Sequence, residues 1–327
     1  MSEPSLAEPA GGATVARAQH EHPALTARLG ALFRLFYVNL IGTIVTLGIY
    51  RFWAKTRMRR YVWSHVVVGG EGFEYTGTGK ELLFGFLKAL VVLAPPLVLL
   101  GIVELLLDDP WSSIVRGAQY VALVLLFVAG SYAALRYRMS RTRWGGIRFH
   151  QSGSPWRYAA IYLKGGVLLG LTLGLYAPYL RMRLVAYETS NLHFGSAPFS
   201  FSGQGRDLFK RWLIAWLLAV PTLMLSMLWY RALEYRYVAA HTRLADLQFA
   251  MAVRGRNLLA YYLVNLLIVV VSLGVLFPLV IRRRIAFWCR WIALDGTVDL
   301  ATIRQVPAEL RSGEGLANFL DMDFLGV

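Results

Sequence analysis

Thr46-Leu47-Gly48-Ile49-Tyr50 decides the fold, because an apolar segment ends here and a basic cluster follows it. The cluster comes after Trp53 and begins with Lys55. The same arrangement occurs twice more: an apolar segment, then a threonine or serine followed by Leu-Gly, then arginines. The two later copies contain Thr172-Leu173-Gly174 and Ser272-Leu273-Gly274. A motif that returns in this way indicates a chain built from internal repeats.

The composition indicates a membrane protein. Of the 327 residues, 57% are hydrophobic and only 16% are charged. Several apolar segments approach the roughly 20 residues that a helix needs to cross the hydrocarbon of a bilayer. They lie at about 32–53, 82–107, 114–135, 158–180, 211–231 and 258–281. The sequence therefore predicts an all-α polytopic membrane protein with six membrane segments.

The excess of positive charge is distributed along the ends of these segments. The formal net charge is +15, which in a soluble protein would indicate nucleic-acid binding. Arginines at the ends of apolar runs indicate membrane anchoring instead, so we expect lipid and no nucleic acid as the partner. The acidic turn Asp108-Asp109 is predicted to lie outside the cell and the basic connectors in the cytoplasm.

The five connectors between apolar segments share a pattern. Aligned on Ser64, Ser140, Ser190, Ala240 and Cys289, the residue three positions earlier is Tyr61, Tyr137, Tyr187, Tyr237 and Ala286. The residue nine positions later is Phe73, Phe149, Phe199, Phe249 and Val298. Polar and apolar residues then alternate up to glycine pairs such as Gly77 and Gly79, which is typical of short strands. We therefore expect small β-strand or hairpin connectors.

The repeats predict the organisation of the chain. We expect about two and a half copies of one unit. The predicted parts are a disordered tail at 1–30, a first repeat at 31–157, a second at 158–257, a half repeat at 258–306 and a C-terminal tail at 307–327.

Two topologies remain open. If every segment crosses the membrane once, the third and fifth connectors lie outside although they are as basic as the others, against the positive-inside rule. In the alternative, the segments that carry the Leu-Gly motif re-enter the same face, which requires protein to bury the broken backbone.

The motif also resembles a known family. Its features are the Thr46–Tyr50 helix, the Trp53-Ala-Lys-Thr-Arg57 exit, the Phe73–Phe84 connector and the closing Gly313-Glu-Gly-Leu-Ala317. Together they are similar to the YjgN-like family of bacterial inner-membrane proteins, from about residue 32 to the C-terminus. The resemblance implies a multi-pass protein of the bacterial inner membrane and implies no activity.

Two sets of residues are candidates for function. Cations near a membrane surface attract anionic phospholipid headgroups. This set contains Arg57, Arg59, Arg60, Arg136, Arg138, Arg181, Arg183, Arg282 and Arg283. Polar residues in apolar segments need buried partners, as helix packing or as a seam that binds a solute between repeats. That second set contains Asn39, Thr46, Thr172 and Asn265.

These sets support two functions, a transporter or channel for a small solute, or an anionic-lipid-binding or membrane scaffold protein. Histidines at 65 and 241 occupy equivalent positions, but arginine and asparagine replace them in other connectors, which favours hydrogen bonding at helix ends over a metal site. No Ser/His/Asp set, carboxylate pair or Cys/His pair has a recognised spacing. We therefore expect no enzyme activity, no metal and no cofactor.

Overall fold

The structure is a computed structural model, and it describes the backbone of residues 15–299 and 302–305. These residues form ten helices and eleven strands. The helices are α1 (Leu29–Val45), α2 (Arg51–Ser64), α3 (Gly79–Leu106), α4 (Trp111–Ser140), α5 (Pro155–Leu171), α6 (Ala177–Ser190), α7 (Gly205–Leu217), α8 (Leu225–Ala240), α9 (Gly255–Val271) and α10 (Phe277–Trp291). The strands are β1 (Val15–Glu21), β2 (Ala24–Leu25), β3 (Val66–Val68), β4 (Glu71–Tyr75), β5 (Thr142–Trp144), β6 (Ile147–Gln151), β7 (Leu192–Phe194), β8 (Ala197–Phe201), β9 (Thr242–Leu244), β10 (Leu247–Met251) and β11 (Ile292–Asp299).

The helices form five hairpins, of which four are short and one is long. In the short hairpins α1–α2, α5–α6 and α9–α10, the Leu-Gly motif is the turn between the two helices. Leu47, Leu173 and Leu273 have left-handed backbone conformations, with φ angles of 49° or 50°, and this conformation cannot continue a right-handed helix. The predicted segments at 32–53, 158–180 and 258–281 are therefore not single helices.

The turns are closed by the same hydrogen bonds. The Thr46 hydroxyl donates to the Gly42 carbonyl and accepts from the Tyr50 amide, and the Gly48 amide donates to the Thr43 carbonyl. A fourth turn with these bonds joins α7 to α8 at Thr222-Leu223-Met224, inside the predicted segment 211–231. The Leu-Gly pattern does not predict this turn, because Met224 replaces the glycine.

The long hairpin α3–α4 contains the second and third predicted segments as single helices. They have 28 and 30 residues and are the two described helices that are long and apolar enough to cross a membrane. The acidic turn is placed at the tip of this hairpin, where Asp109 accepts hydrogen bonds from Ser112 and Ser113.

The strands do not form separate small connectors. They join in one antiparallel sheet in the order β1-β11-β10-β9-β8-β7-β6-β5-β4-β3-β2. The edge strands β1 and β2 are separated in the chain by His22 and Pro23 alone. The His22 ring donates a hydrogen bond to the Ile292 carbonyl of β11, while the Glu21 carboxylate accepts one from the Gly69 amide after β3. The sheet is thus a closed ring, and the all-α class holds only for the helical majority of the chain.

The N-terminal strands also correct the predicted tail. Residues 15–21 and 24–25 are strands, and α1 begins at Leu29, so the prediction of disorder is wrong over 15–30. These residues belong to the ring because their backbone groups pair with β11 and β3. The remainder of that tail, residues 1–14, and the predicted C-terminal tail at 307–327 lie outside the described residues.

The fifth connector has a different register from the predicted one. Strands β3, β5, β7 and β9 begin two residues after the aligned positions, whereas β11 begins at Ile292. The equivalents of Ser64 and Tyr61 are therefore Arg290 and Phe287, not Cys289 and Ala286. The register was misplaced because β11 lacks the phenylalanine and the glycine pair that mark the other connectors. The repeat boundaries themselves stay a prediction.

Helices and strands form two stacked rings. Each helix contacts the next one along the chain, and α10 contacts α1, so the hairpins surround a common centre. Adjacent hairpins approach closely at glycines that begin helices. A Cβ atom on Gly205 would lie 2.5 Å from the Tyr179 Cα atom, and one on Gly79 would lie 2.7 Å from the Trp53 ring. These glycines set the distance between hairpins.

Candidate functional site

The inward face of the sheet is built from two layers of repeated positions. The distal layer, next to the strand turns, consists of Val68, Trp144, Phe194, Leu244 and Leu294, all of them buried. The phenylalanine layer consists of Phe73, Phe149, Phe199 and Phe249, the residues that the connector pattern had marked. Its neighbouring ring centroids are 6.4, 6.5 and 6.1 Å apart, so the four rings form a continuous aromatic collar.

An apolar chamber of about 560 Å³ lies between these layers and the ends of the helices. This volume is within the range of roughly 300–1,000 Å³ that is typical of small-molecule pockets. Helix residues form the opposite wall, among them Val62 and Trp63 of α2, Met139 of α4, and Ile285 and Trp288 of α10. The chamber is therefore lined by residues of both rings of the molecule.

Two of the indole N–H groups in the chamber walls donate hydrogen bonds within the protein. The Trp63 indole N–H donates to the Thr142 hydroxyl at 3.1 Å, and the Trp144 indole N–H donates to the Val68 carbonyl at 3.2 Å. Water in the chamber would find few partners, whereas an apolar molecule would gain dispersion contacts with the aromatic walls. The chamber is thus suited to a hydrocarbon-rich ligand.

Among the residues that the structure describes, one charged side chain lines the chamber, that of Arg284 on α10. The equivalent positions in the other four hairpins are occupied by Met58, Ala134, Leu184 and Glu234, all buried. Arg284 is half-buried and is followed one turn later by Trp288, which also lines the chamber. This chamber therefore combines apolar walls with a single guanidinium group.

The predicted headgroup arginines are distributed around the ring and do not form one site. Arg59 is fully buried with its guanidinium 5.9 Å from the centre of the Tyr75 ring, so it cannot contact a headgroup and is a wrong member of the set. Arg282 donates to the Ala27 carbonyl, and Arg283 donates to the Asn265 side chain. Arg136 and Arg138 are half-buried on α4.

Exposed arginines remain on the first and third hairpins. Arg60 is exposed and donates to the Gly77 carbonyl at 3.2 Å. Arg57 lies over the Tyr50 ring at 5.4 Å and Arg183 lies over the Tyr176 ring at 5.7 Å. The two pairs occupy equivalent positions in their hairpins. Each holds a cation beside an aromatic ring, which is the arrangement that favours a membrane interface.

The predicted polar seam is not assembled. Asn39 and Asn265 are buried in the first and fifth hairpins, and each bonds within its own hairpin, Asn39 to the Ala54 carbonyl and Asn265 to Arg283. Thr46 and Thr172 close two different turns. The four residues thus have separate local roles in the packing of the hairpins.

A buried carboxylate forms ion pairs that the sequence does not predict. Glu234 on α8 is 2% exposed and accepts from Arg181 Nε at 2.9 Å and from Arg231 at 3.1 Å. It joins the third hairpin to the fourth. In the sequence, Glu234 is a single carboxylate near the arginines of its own helix. This pattern alone does not predict a partner on another helix.

The repeated tyrosines and histidines have structural roles. Tyr187 and Tyr237 bond the backbone at Ser154 and Gln204, immediately before the first helix of the same hairpin. Phe287 replaces this tyrosine in the fifth hairpin and contacts the Tyr261 ring instead. The His65 and His241 rings donate to the backbone carbonyl four residues earlier, at the ends of α2 and α8. These contacts agree with hydrogen bonding at helix ends.

Comparisons with known proteins give a family and distant relatives. The sequence model of the family described as "Bacterial protein of unknown function (DUF898)" matches residues 23–229 and 218–319. "Inner membrane protein YjgN" of Salmonella typhimurium is 29% identical over 139 residues, which cover 38% of this chain and 34% of the relative. The protein of that name in Escherichia coli K12 is 29% identical over 124 residues, which cover 36% of this chain and 27% of the relative. The chain thus spans about a third or less of the length of these curated relatives, and no solved structure matches it.

Proposed function

Because this chain belongs to the DUF898 family of bacterial proteins of unknown function, and its relatives are named inner membrane proteins, we propose an anionic-lipid-binding protein of the inner membrane. Its four short hairpins enter one leaflet from the cytoplasmic side, and its exposed arginines bind phospholipid headgroups at the surface of that leaflet.

The observation that carries this proposal is the closed sheet. All five connectors contribute strands to one antiparallel sheet, whose edge strands β1 and β2 follow each other in the chain. A polar sheet cannot continue through the hydrocarbon of a bilayer, so the five connectors belong on the same face. This supports the re-entrant topology over six single crossings, and it satisfies the positive-inside rule for every basic connector.

The dimensions of the short hairpins support insertion into one leaflet. Arg57 and Arg183 each follow the leucine of their turn by ten residues. The helical part of this distance, residues 51–57 or 177–183, spans about 10 Å, and with the turn it comes close to half of the roughly 30 Å of hydrocarbon in a bilayer. The turn leucines are exposed, with Leu47 at 95% and Leu273 at 92%, as expected for side chains that contact acyl chains. With the arginines at the headgroups, the turns reach the middle of the bilayer.

The long hairpin supplies the crossing. Its helix α3 has 28 residues and would span about 42 Å, enough to place Asp108 and Asp109 on the periplasmic side. The proposed topology therefore has two crossing helices and four re-entrant hairpins. A solute transporter is less well supported, because the chamber walls are apolar and the predicted seam residues lie apart.

Cysteine accessibility tests the topology. In a Cys289→Ala background, single cysteines replace Ser113 at the tip of the long hairpin, Leu173 at a short tip and Ser196 in a strand turn. We expect an impermeant maleimide added to intact cells to label only Ser113→Cys, and added to inverted vesicles to label only Ser196→Cys. Labelling of Leu173→Cys from the periplasm would reject insertion into one leaflet.

Lipid retention tests headgroup binding. Native mass spectrometry of the purified chain counts the phosphatidylglycerol molecules that stay bound. Arg57→Glu and Arg183→Glu should each retain about half as many as the unmodified protein, because a surface cation contributes about 1 kcal/mol to anionic lipid binding. Arg243→Glu is the matched control, since Arg243 is exposed on β9, away from the turns. Equal retention by all four proteins would contradict the proposal.

A further inference from the structure

Two arginines on the outer face of the sheet have no role in the proposed headgroup binding. Arg143 of β5 is the direct partner of Arg148 of β6 in their antiparallel pair. Their neighbours Trp144 and Phe149 line the chamber, so these arginines lie on the opposite face of the strands. We propose that Arg143 and Arg148 together bind a phosphomonoester, which carries about two negative charges at neutral pH.

The equivalent positions of other connectors do not oppose two cations. The cross-strand pairs at these positions are Val67 with Gly72, His193 with Pro198 and Arg243 with Gln248. Like charges directly opposite each other on neighbouring strands destabilise a sheet. The pair formed by Arg143 and Arg148 therefore has a repulsion that the three equivalent pairs avoid, and a bound anion would cancel it.

The hydrogen-bond donors of the two arginines are incompletely used. The Nε atoms of Arg143 and Arg148 are buried and have no hydrogen-bond partner among the described residues. A buried donor without a partner costs free energy, and the cost is larger for a charged group. Rotation about the terminal bonds of the two side chains would turn these donors toward an oxyanion between the strands, so binding would recover that cost.

Nearby carboxylates leave an excess of positive charge. Glu74 stands opposite Arg143 on β4, but its oxygen lies 4.0 Å from Arg143 Nη1 and its side chain is 63% exposed, so water screens the attraction. Arg148 forms no ion pair with an acidic residue that the structure describes. Burial, and then the charges of Arg143 and Arg141, lower the pKa of Arg148. Arg148 therefore lacks the counter-ion that Glu81 supplies to Arg141 at 3.2 Å.

Two guanidinium groups on adjacent strands favour a phosphomonoester over other anions. Each guanidinium is a planar fork of N–H donors that can bind two oxygens of one phosphate. A phosphomonoester has three terminal oxygens and can contact both forks while it neutralises both charges. A carboxylate or a phosphodiester carries a single charge and neutralises only one arginine.

The phosphomonoester can belong to a soluble molecule or to a lipid such as phosphatidic acid. In the proposed topology the sheet lies on the cytoplasmic side of the membrane, so a soluble ester would come from the cytoplasm. This statement about the source rests on the proposed function, whereas the site itself rests on the arginine pair.

Titration calorimetry and thermal unfolding of the full chain in detergent test the site. The soluble probe is glycerol 3-phosphate, and dimethyl phosphate is the singly charged comparison. We expect saturable binding of glycerol 3-phosphate and a rise of about 2 °C in Tm at saturation, with much weaker binding of dimethyl phosphate. Sodium chloride at matched ionic strength should not raise Tm in this way. Equal binding of the two phosphates would overturn the proposal.

A lipid arm distinguishes the two sources. Native mass spectrometry counts the phosphatidic acid molecules that the chain retains from phosphatidylcholine nanodiscs. Retention that depends on Arg148, without binding of glycerol 3-phosphate, would assign the phosphomonoester to a lipid. Binding of glycerol 3-phosphate that depends on Arg148 would assign it to a soluble ester. Absence of Arg148-dependent binding in both arms would overturn the proposal.

Two variants of Arg148 separate binding from a structural role. Arg148→Gln introduces the residue found at the equivalent position of β10, Gln248. It should weaken phosphomonoester binding about tenfold. It should also raise the Tm of the ligand-free chain by about 1 °C, because the repulsion from Arg143 is removed. Arg148→Lys keeps the charge but not the fork, so it should weaken binding without this gain in Tm.

The matched control is Arg243→Gln, which removes one charge from the strand position equivalent to Arg143, where the partner is Gln248. It should leave phosphomonoester binding unchanged. Equal binding by Arg148→Gln and the unmodified chain would overturn the proposal, and so would equal losses in Arg148→Gln and Arg243→Gln. Retention of phosphatidylglycerol by Arg148→Gln should be unchanged, because Arg57 and Arg183 remain. Failure of this site and failure of headgroup binding are therefore separate results.

Discussion

The short hairpins and the long hairpin begin and end alike but differ in the middle. Both kinds lead from a helix into a two-stranded connector, and both contribute to the same closed sheet. The short ones turn at a left-handed leucine after 13 to 17 residues of helix, whereas α3 continues for 28 residues to the acidic tip. In the proposed topology, helix length therefore separates a hairpin that enters one leaflet from one that crosses the bilayer.

The difference also shows where stabilising contacts lie. The short hairpins are joined by contacts of a buried carboxylate, such as Glu234 with Arg181, while the outer end of the long hairpin carries the more exposed pair Glu104 and Arg116. Exposed ion pairs contribute little because water and salt screen them. We infer that the ring of short hairpins, and not the tip of the long hairpin, dominates the stability of the fold.

The largest expected effect comes from the buried carboxylate. Glu234→Gln removes the charge that binds Arg181 and Arg231, so we expect a loss of about 2 kcal/mol in the free energy of unfolding. Thermal unfolding in detergent, followed by tryptophan fluorescence, should show a Tm lower by about 5 °C. The matched control Glu104→Gln in the long hairpin should cost less than about 1 kcal/mol. Equal losses of unfolding free energy in Glu234→Gln and Glu104→Gln would contradict the inference that the short hairpins dominate stability.

Turn substitutions should have a smaller effect. Met224 has a φ angle of 66°, a conformation that costs a non-glycine residue about 1 kcal/mol, so Met224→Gly should raise the free energy of unfolding by about that amount. Gly274→Met should lower it similarly, because Gly274 has a φ angle of 84° and open space around its Cβ position. Gly101→Met in α3, also in open space but helical, is the control and should cause no loss. The same Tm assay would contradict this account if all three variants behaved alike.

The smallest expected effect is on the pH dependence of stability. It comes from the sheet where β6, which follows the long hairpin, pairs with β7, which follows the third hairpin. His150 on β6 stacks on His193 of β7 with ring centroids 4.6 Å apart. Burial, and then the charge of His193, lower the pKa of His150. Because the folded state favours the neutral ring, this contribution is present above the unfolded pKa of about 6.5 and is lost as the pH falls through the lowered value.

We therefore expect Tm to fall by about 2 °C between pH 7 and pH 5 through this pair, and His150→Phe to remove that part of the decline. His241→Asn is the control, because asparagine already ends α6 at Asn191 and His241 lies outside the pair. A decline that His150→Phe leaves unchanged would show that other groups control the pH dependence.

Much of the sheet was predictable from the sequence. The spacing of Phe73, Phe149 and Phe199 in the connectors marked the phenylalanine layer, because period-2 alternation places such residues on one face of a strand. The alignment of the connectors also showed that four of them have a tyrosine at the same position. What the spacing could not show is that the strands pair in one closed ring, since hydrogen-bond partners such as His22 and Ile292 are 270 positions apart.

The breaks between helices were harder to predict from the sequence than the positions of the strands. Apolar length predicted six membrane segments, but length alone cannot distinguish one long helix from two short ones with a turn between them. The glycine motif revealed three of the turns as possible breaks, and the fourth, at Leu223, was hidden because no glycine follows it. Arg284 was visible as one arginine of a cluster, and only the packing of α10 against the sheet places it at the chamber.

The position of β1 and β2 has a consequence for biogenesis. Strands β1 and β2 are made before the first helix, yet β11, the partner of β1, is made after all ten described helices. The contact between β1 and β11 therefore cannot form during the synthesis of the hairpins, and it closes a long loop at an entropic cost. Each hairpin can fold as it is made, but the sheet is completed only when β11 meets β1.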